Sequence, residues 1–335
     1  MNKIIGLALA VVLTLGAAAS WAGETLNGAG ATFPYPLYSK WFYSYEKETG
    51  TKINYQSIGS GGGISQVKVG TVDFGASDAP LKGSELRDDN LFQFPMVAGA
   101  VAVIYNIPGV SNGLKLSSQN IAKIFLGKIT KWNDPAVVKD NPGVKLPAIP
   151  VIVAHRSDGS GTTNLFTWFL EDVSTQWKLE VGSGKAVSWP AGLGGKGNEG
   201  VAGIVRQTQG AIGYAEVAYA IQNKITYAMV GNKAGEFVFP TTEACKAAAA
   251  SAKVPGDYYI RFTNASGKGA YPIAGFTFIL VKKGLAPAKA KAFSDFVNWA
   301  YTKGDKDAEA LHYVPLKDDL ASRVKADLSK NLKVK

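Results

Sequence analysis

Two glycine–serine stretches carry the residue types best suited to holding an anion. The first is Ile58-Gly59-Ser60-Gly61-Gly62-Gly63-Ile64-Ser65, and the second is Arg156-Ser157-Asp158-Gly159-Ser160-Gly161-Thr162-Thr163. Each runs into a helical pattern. A helix N-terminus has free backbone N–H groups at the positive end of its dipole, so it attracts negative charge. Glycine lets those groups approach a ligand closely, and Ser60, Ser160 and Thr162 add hydroxyls. Gly161 and Thr162 offer first-turn N–H groups. Arg156 supplies a planar guanidinium that matches a tetrahedral oxyanion. Asp158 could pair with Arg156 and fix its plane, or could be an ordinary turn residue. Together the loops predict two half-sites that close on one anion such as phosphate.

Asp78 ends the stretch Val72–Pro80, which reads as a short strand running into a proline turn. That places it at the C-terminal end of a strand, where open α/β sheets bind ligands. Alone it would be a turn carboxylate. In an anion site it repels its ligand unless the ligand brings a proton. Hydrogen phosphate carries an O–H that can donate to a carboxylate, whereas sulfate at neutral pH has none. Asp78 would then accept the first and reject the second. Thr32 and Phe33 stand just before another helical pattern and could make a third anion contact. On local sequence alone, an ordinary helix cap is the simpler reading.

Catalysis is the competing class. Gly75-Ala76-Ser77-Asp78-Ala79 resembles a nucleophile elbow with its final glycine replaced. A serine hydrolase also needs a histidine, and the chain has only His155 and His312. A secreted phosphate-ester hydrolase is therefore the runner-up. Two distant histidines and one cysteine give no metal-ligand spacing. The first loop is not a Walker motif, since no Gly-Lys-Ser/Thr follows it. Neither a catalytic residue, a metal nor a cofactor is expected.

The elements around these residues alternate strand and helix. Leu37, Tyr38, Trp41, Phe42 and Tyr45 fall on one helical face, with Pro34 and Pro36 suited to its start and Gly50 to its stop. A strand over Lys52–Ile58 leads into the first glycine loop, after which a helix begins near Ile64. An apolar strand over Ile149–Ala154 leads into His155-Arg156. Leu165, Phe166, Phe169 and Leu170 make the apolar stripe of the helix after Thr162. Asn198-Glu199-Gly200 opens another helix, and Ala211–Tyr214 resumes as a strand. Ala288–Tyr301 is an amphipathic helix. Two long apolar stretches, Phe94–Asn106 and Tyr271–Val281, both begin aromatic-Pro and could be the two crossings between lobes of a two-domain α/β protein.

Length and charge are compatible with this. The 335 residues suffice for two domains, and 46% hydrophobic with 19% charged residues is ordinary for a globular chain. The net charge of +10 fits either an anion-attracting surface or a solubilising excess with no partner. The basic residues are scattered rather than striped, so no nucleic acid is expected. Residues 1–22 read as a secretory signal, with Lys3, an apolar run Ile4–Leu15 and small residues around Ala22, after which cleavage is predicted. Cys245 is the only cysteine, so no internal disulfide can form, and its helical setting suggests a packed side chain. An exported chain without disulfides suggests a bacterial periplasm.

Six motifs identify a family resemblance over nearly the whole mature chain. They are Gly28-Ala29-Gly30-Ala31-Thr32-Phe33-Pro34, Val72–Pro80, Leu126-Gly127-Lys128-Ile129, Arg156–Thr162, Gly192-Leu193-Gly194-Gly195-Lys196-Gly197-Asn198 and Gly210-Ala211-Ile212-Gly213-Tyr214. With them the chain resembles the periplasmic phosphate-binding protein of bacterial ABC phosphate importers. The resemblance implies an α/β, two-lobe periplasmic-binding-protein fold of type II with the ligand in the interdomain cleft. It implies a lobe from 23–97 plus 273–335 and a second from 98–272. It assigns phosphate contacts to Thr32, Phe33, Ser60, Asp78, Arg156, Ser160, Gly161 and Thr162, with Asp158 holding the arginine. The family loop often has a second serine where this chain has Gly61. The implied partners are inorganic phosphate and the membrane permease and ATPase subunits of an importer. The protein itself is expected to be a monomer.

Overall fold

The computed structural model describes residues 24–334. The signal segment and its cleavage point lie outside the described residues. In chain order the elements that matter for the site are β1 (Leu26–Gly30), α1 (Tyr35–Thr49), β2 (Ile53–Ser57), α2 (Ser60–Val69), β3 (Phe74–Ser77), β4 (Leu91–Tyr105), β5 (Ile152–Arg156), α3 (Gly161–Val173), β6 (Leu193–Gly195), α4 (Gly197–Gln207), β7 (Ala211–Glu216), β8 (Ala274–Lys282), α5 (Pro287–Ala300) and α6 (Asp318–Leu332).

The strands lie in the order β2-β1-β3-β8-β4-β7-β5-β6. Parallel pairs stand at both ends, β1 with β2 and β3, and β5 with β6 and β7. Antiparallel β8 and β4 join them in the middle. β4 changes partner along its length. Leu91–Ala100 face β8, and Val101–Tyr105 face β7. All 15 of its residues are buried, which accounts for an apolar run without polar alternation. The second long apolar stretch becomes β8, which starts at Ala274, just after Pro272. Ile273 accepts a bond from the Val101 N–H at 2.8 Å, so the two long apolar stretches meet where β4 changes partner.

α1 buries the five residues of its predicted face, Leu37, Tyr38, Trp41, Phe42 and Tyr45, and stops at Gly50 in the left-handed conformation. Phe42 and Tyr45 pack against Phe296 of α5 with ring centroids 5.3 and 5.4 Å apart. This anchors the α1 N-terminus, and with it Thr32 and Phe33, to a rigid aromatic layer.

Three elements depart from the sequence reading. α2 begins at Ser60, inside the glycine run rather than after it. Its glycines are there for close packing: a Cβ on Gly63 would sit 2.5 Å from the Ala29 carbonyl oxygen and the Gly30 Cα. β5 starts at Ile152 rather than Ile149, since Pro150 has no N–H for a ladder. It therefore carries His155 and Arg156 on the strand itself. The sequence reading places no helix over 318–332, although Ala321, Val324, Leu328 and Leu332 recur at helical spacing and are the buried face of α6. Cys245 is buried in the helix Thr242–Ala249 as anticipated, and burial pushes its thiol up to about 12. No helix among the described residues is long and apolar enough to cross a membrane.

Candidate functional site

The strand order brings the starts of α1, α2, α3 and α4 to one place between the two parallel ends of the sheet. Their first residues come from Thr32–Phe33, Ser60, Ser160–Thr162 and Asn198. Thr32, Ser60, Asp78, Arg156, Ser160 and Thr162 are all at most 3% exposed. Burial of so many polar groups requires partners, and most partners come from distant parts of the chain.

Ser60 Oγ accepts from the Gly161 N–H at 2.9 Å and from the Asp78 N–H at 3.2 Å. The Gly61 N–H donates to the Gly159 carbonyl at 2.8 Å. The two glycine loops are thus in direct contact although about 100 residues apart in sequence. Glycine is required at 161, because a Cβ there would lie 2.6 Å from Asp78 and from Ser60 Oγ. Ser160 caps α3 through its Oγ, which accepts from the Thr163 N–H at 3.0 Å. Thr162 Oγ1 faces Asp78 Oδ2 at 3.4 Å.

Arg156 and Asp158 form a two-point ion pair. Nε donates to Oδ1 at 2.7 Å and Nη2 to Oδ2 at 2.5 Å. The guanidinium plane is therefore fixed by its neighbour. Asp158 Oδ1 also accepts from the Gly197 N–H at 3.1 Å, tying the pair to the start of α4. Burial alone would raise the Asp158 carboxyl. Its bonds to Arg156 and Gly197 outweigh that and hold it below the ordinary carboxylate range. Asp78 behaves oppositely. Burial pushes it from 3.8 to about 7, although Thr277, Arg156 and Thr162 pull the other way.

Asp78 Oδ1 and Arg156 Nη1 are buried without a hydrogen-bond partner among the described residues, as is Thr277 Oγ1, whose hydroxyl lies close enough to Asp78 to lower its carboxyl. Ionised, the carboxylate oxygen is an acceptor, and the guanidinium nitrogen is a charged donor. A ligand with one anionic oxygen and one O–H can satisfy both.

The sequence reading missed a supporting layer. Asn198 is fully buried and donates from Nδ2 to Thr32 Oγ1 at 2.6 Å and to Thr162 Oγ1 at 3.2 Å. The Tyr219 hydroxyl donates to the Thr32 carbonyl at 2.6 Å, and the Tyr313 hydroxyl to the Phe33 carbonyl at 2.7 Å. Tyr313 also lies 2.9 Å from Glu216 Oε2, a carboxyl that burial raises well above its ordinary range. Asn198 ends the Gly192–Asn198 motif, and its place as an amide at a helix start is the signal that finds it. Nothing local marks Tyr219 or Tyr313. Ser77, the candidate nucleophile, donates to the Ala79 carbonyl at 2.7 Å and accepts from the Ala79 N–H at 3.1 Å. His155 stacks on Trp189 with ring centroids 4.9 Å apart, and His312 is on the surface.

Comparison with known proteins gives a consistent picture. A PBP superfamily domain model matches residues 16–303. The phosphate-binding protein PstS of Xylella fastidiosa (strain Temecula1) is 50% identical over 305 residues, covering 90% of this chain and 84% of that protein. The Haemophilus influenzae phosphate-binding protein PstS is 48% identical over 326 residues, covering 96% of this chain and 98% of that protein. Among solved structures, a high affinity periplasmic phosphate-binding protein (PfluDING) bound with phosphate is similar in fold. Its TM-score is 0.72 at 24% identity, over 90% of this chain and 93% of that one.

Proposed function

The chain belongs to the phosphate-binding protein PstS family within the PBP superfamily, and from that premise we propose that it captures inorganic phosphate and delivers it to an ABC-type importer. The fold is the α/β periplasmic-binding-protein fold of type II. One observation carries the ligand assignment. Asp78 Oδ1 and Arg156 Nη1 are both buried and unpartnered. Hydrogen phosphate answers both, one oxygen accepting from Nη1 and its O–H donating to Oδ1. Above about pH 7, where Asp78 is ionised, sulfate answers only the first and leaves a buried acceptor facing an anion.

Thr32, Phe33, Ser60, Asp78, Arg156, Ser160, Gly161 and Thr162 supply the contacts, and Asp158 holds the guanidinium. Residues 23–97 with 273–335 form one lobe and 98–272 the other. Thr32, Phe33, Ser60 and Asp78 then belong to the first lobe, and the remainder to the second. Phosphate touches its full donor set only when the lobes are together, so it binds the closed form better and shifts the population towards it. The chain works in the periplasm, after removal of residues 1–22, as a monomeric receptor for a membrane permease with its ATPase. It binds and releases phosphate unchanged. The tethering of Ser77 to Ala79 and the stacking of His155 disfavour the hydrolase.

Titration calorimetry of the mature protein, stripped of ligand and shown to be folded, tests this. One-to-one binding of phosphate with no heat from sulfate is expected. Equal binding of both would leave an anion site but remove the role of Asp78, and no binding of either would overturn the reading.

A further inference from the structure

Asn198 stands in the first turn of α4, and its side chain bonds Thr32, Thr162 and Glu216 rather than the helix's own backbone. Its Oδ1 accepts from the Glu216 N–H at 2.9 Å. A backbone N–H can only donate, so the amide has one orientation, with Nδ2 turned towards the cleft. There its two hydrogens go to Thr32 Oγ1 at 2.6 Å and Thr162 Oγ1 at 3.2 Å. Its own backbone N–H donates to Thr32 Oγ1 as well, at 3.1 Å.

A hydroxyl has one hydrogen and two acceptor positions. Asn198 fills both acceptor positions of Thr32, so the Thr32 hydrogen is left for a third party. Ser60 is in the same state, with both positions taken by the N–H groups of Asp78 and Gly161. Thr162 receives from Asn198, which turns its own hydrogen towards Asp78 Oδ2. That leaves Asp78 Oδ1 as an unpartnered acceptor among donors.

We infer that Asn198 is a specificity-determining positioning residue: it fixes the hydrogen-bond polarity of the two threonine hydroxyls, so that Thr32 keeps its hydrogen for the ligand, Thr162 turns its own onto Asp78 Oδ2, and Asp78 Oδ1 is left to accept from a tetrahedral anion with one protonated oxygen. The inference rests on the phosphate reading above. Because Thr32 and Thr162 lie in different parts of the chain, 130 residues apart by their numbers, Asn198 also links the two halves of the donor set. It need not touch the ligand.

Asn198→Asp and Asn198→Ala separate polarity from packing. An aspartate is close in shape, but its second oxygen would accept from both threonines and turn their lone pairs on the ligand. At about pH 8, calorimetry should find phosphate affinity lowered on the order of 100-fold by Asn198→Asp and only about tenfold by Asn198→Ala. The deficit of Asn198→Asp should shrink as pH falls towards about 5, where the new carboxyl gains a proton and donates again. The ratio of Asn198→Ala to wild type should stay level across that range. Equal deficits for the two variants at every pH, or wild-type affinity in Asn198→Asp, would overturn the inference.

Thermal melts report whether each variant folds. If Asn198→Asp does not, Asn198→Ala combined with Thr32→Val decides. Their joint loss should be smaller than the product of the single losses, because Asn198 acts partly through Thr32, and a fully multiplicative loss would refute it. Failure of the wild-type protein to bind phosphate would count against the functional reading instead, so the two failures are distinguishable.

Discussion

Replacing Asp78 by Asn should change how stability depends on pH, with a sign that can be worked from the structure. Asp78 is fully buried and its carboxyl is raised from 3.8 to about 7 in the folded protein. In the unfolded chain it returns to an ordinary value near 4. The folded form therefore holds the proton more tightly. The stability that Asp78 contributes is fully present below about pH 4, and is lost as pH rises through about 7. A displacement of roughly three pH units corresponds to about 4 kcal/mol at 1.36 kcal/mol per unit. That is a large share of the 5–15 kcal/mol typical of a folded domain, so the effect is measurable.

Glu216 is shifted in the same direction by burial, so the wild-type curve alone does not isolate Asp78. The difference between wild type and Asp78→Asn does. Urea unfolding of both, free of phosphate, should be run between about pH 4 and pH 8.5. The gap between them should change by about 4 kcal/mol over that range, Asp78→Asn gaining relative to wild type as pH rises. A gap that stays level would mean that Asp78 is not held in a desolvated, unpartnered setting, and would remove the basis for its reading of a ligand proton.

Two further outcomes follow from the same geometry. Asp158→Ala removes both bonds that fix the Arg156 plane and the tie to Gly197. Phosphate affinity should fall about 10- to 100-fold in calorimetry, with Asp158→Asn recovering part of it, and unchanged affinity would refute the orienting role. Gly161→Ala places a Cβ 2.6 Å from Asp78 and Ser60 Oγ, so the lobes cannot come together as they do here. It should lose on the order of 100-fold in phosphate affinity. Its small-angle scattering should not contract when phosphate is added, whereas wild type should, and a wild-type response would count against contact between the loops as part of closure.

Much of the fold was legible because its signals are local. The aromatic face of α1 repeats at helical spacing, β4 is one long apolar run, and Ser160 precedes α3 as a cap. The start of α2 was less legible. A glycine run reads as a loop by propensity, yet tertiary packing holds it helical because Gly63 must lie against Ala29 and Gly30. α6 carried a readable stripe but stands on a polar background of charged residues.

The chemistry on offer is written locally in the chain: hydroxyls, helix starts, one guanidinium and one carboxylate, each beside the pattern that would present it. Those are relations over a few residues, set by backbone dihedrals and side-chain period. Which groups meet is not written there. Folding brings Gly161 to Ser60, sets Asp158 on Arg156, and lets Asn198 span Thr32 and Thr162. It also brings Tyr219 and Tyr313 onto the Thr32–Phe33 backbone. These contacts depend on the order in which strands join the sheet, which carries groups far apart in sequence into one buried place. Burial is also what raises Asp78 and leaves its Oδ1 awaiting a donor. A residue's type states what it can bond, and only the folded chain states which of those bonds remain to be made.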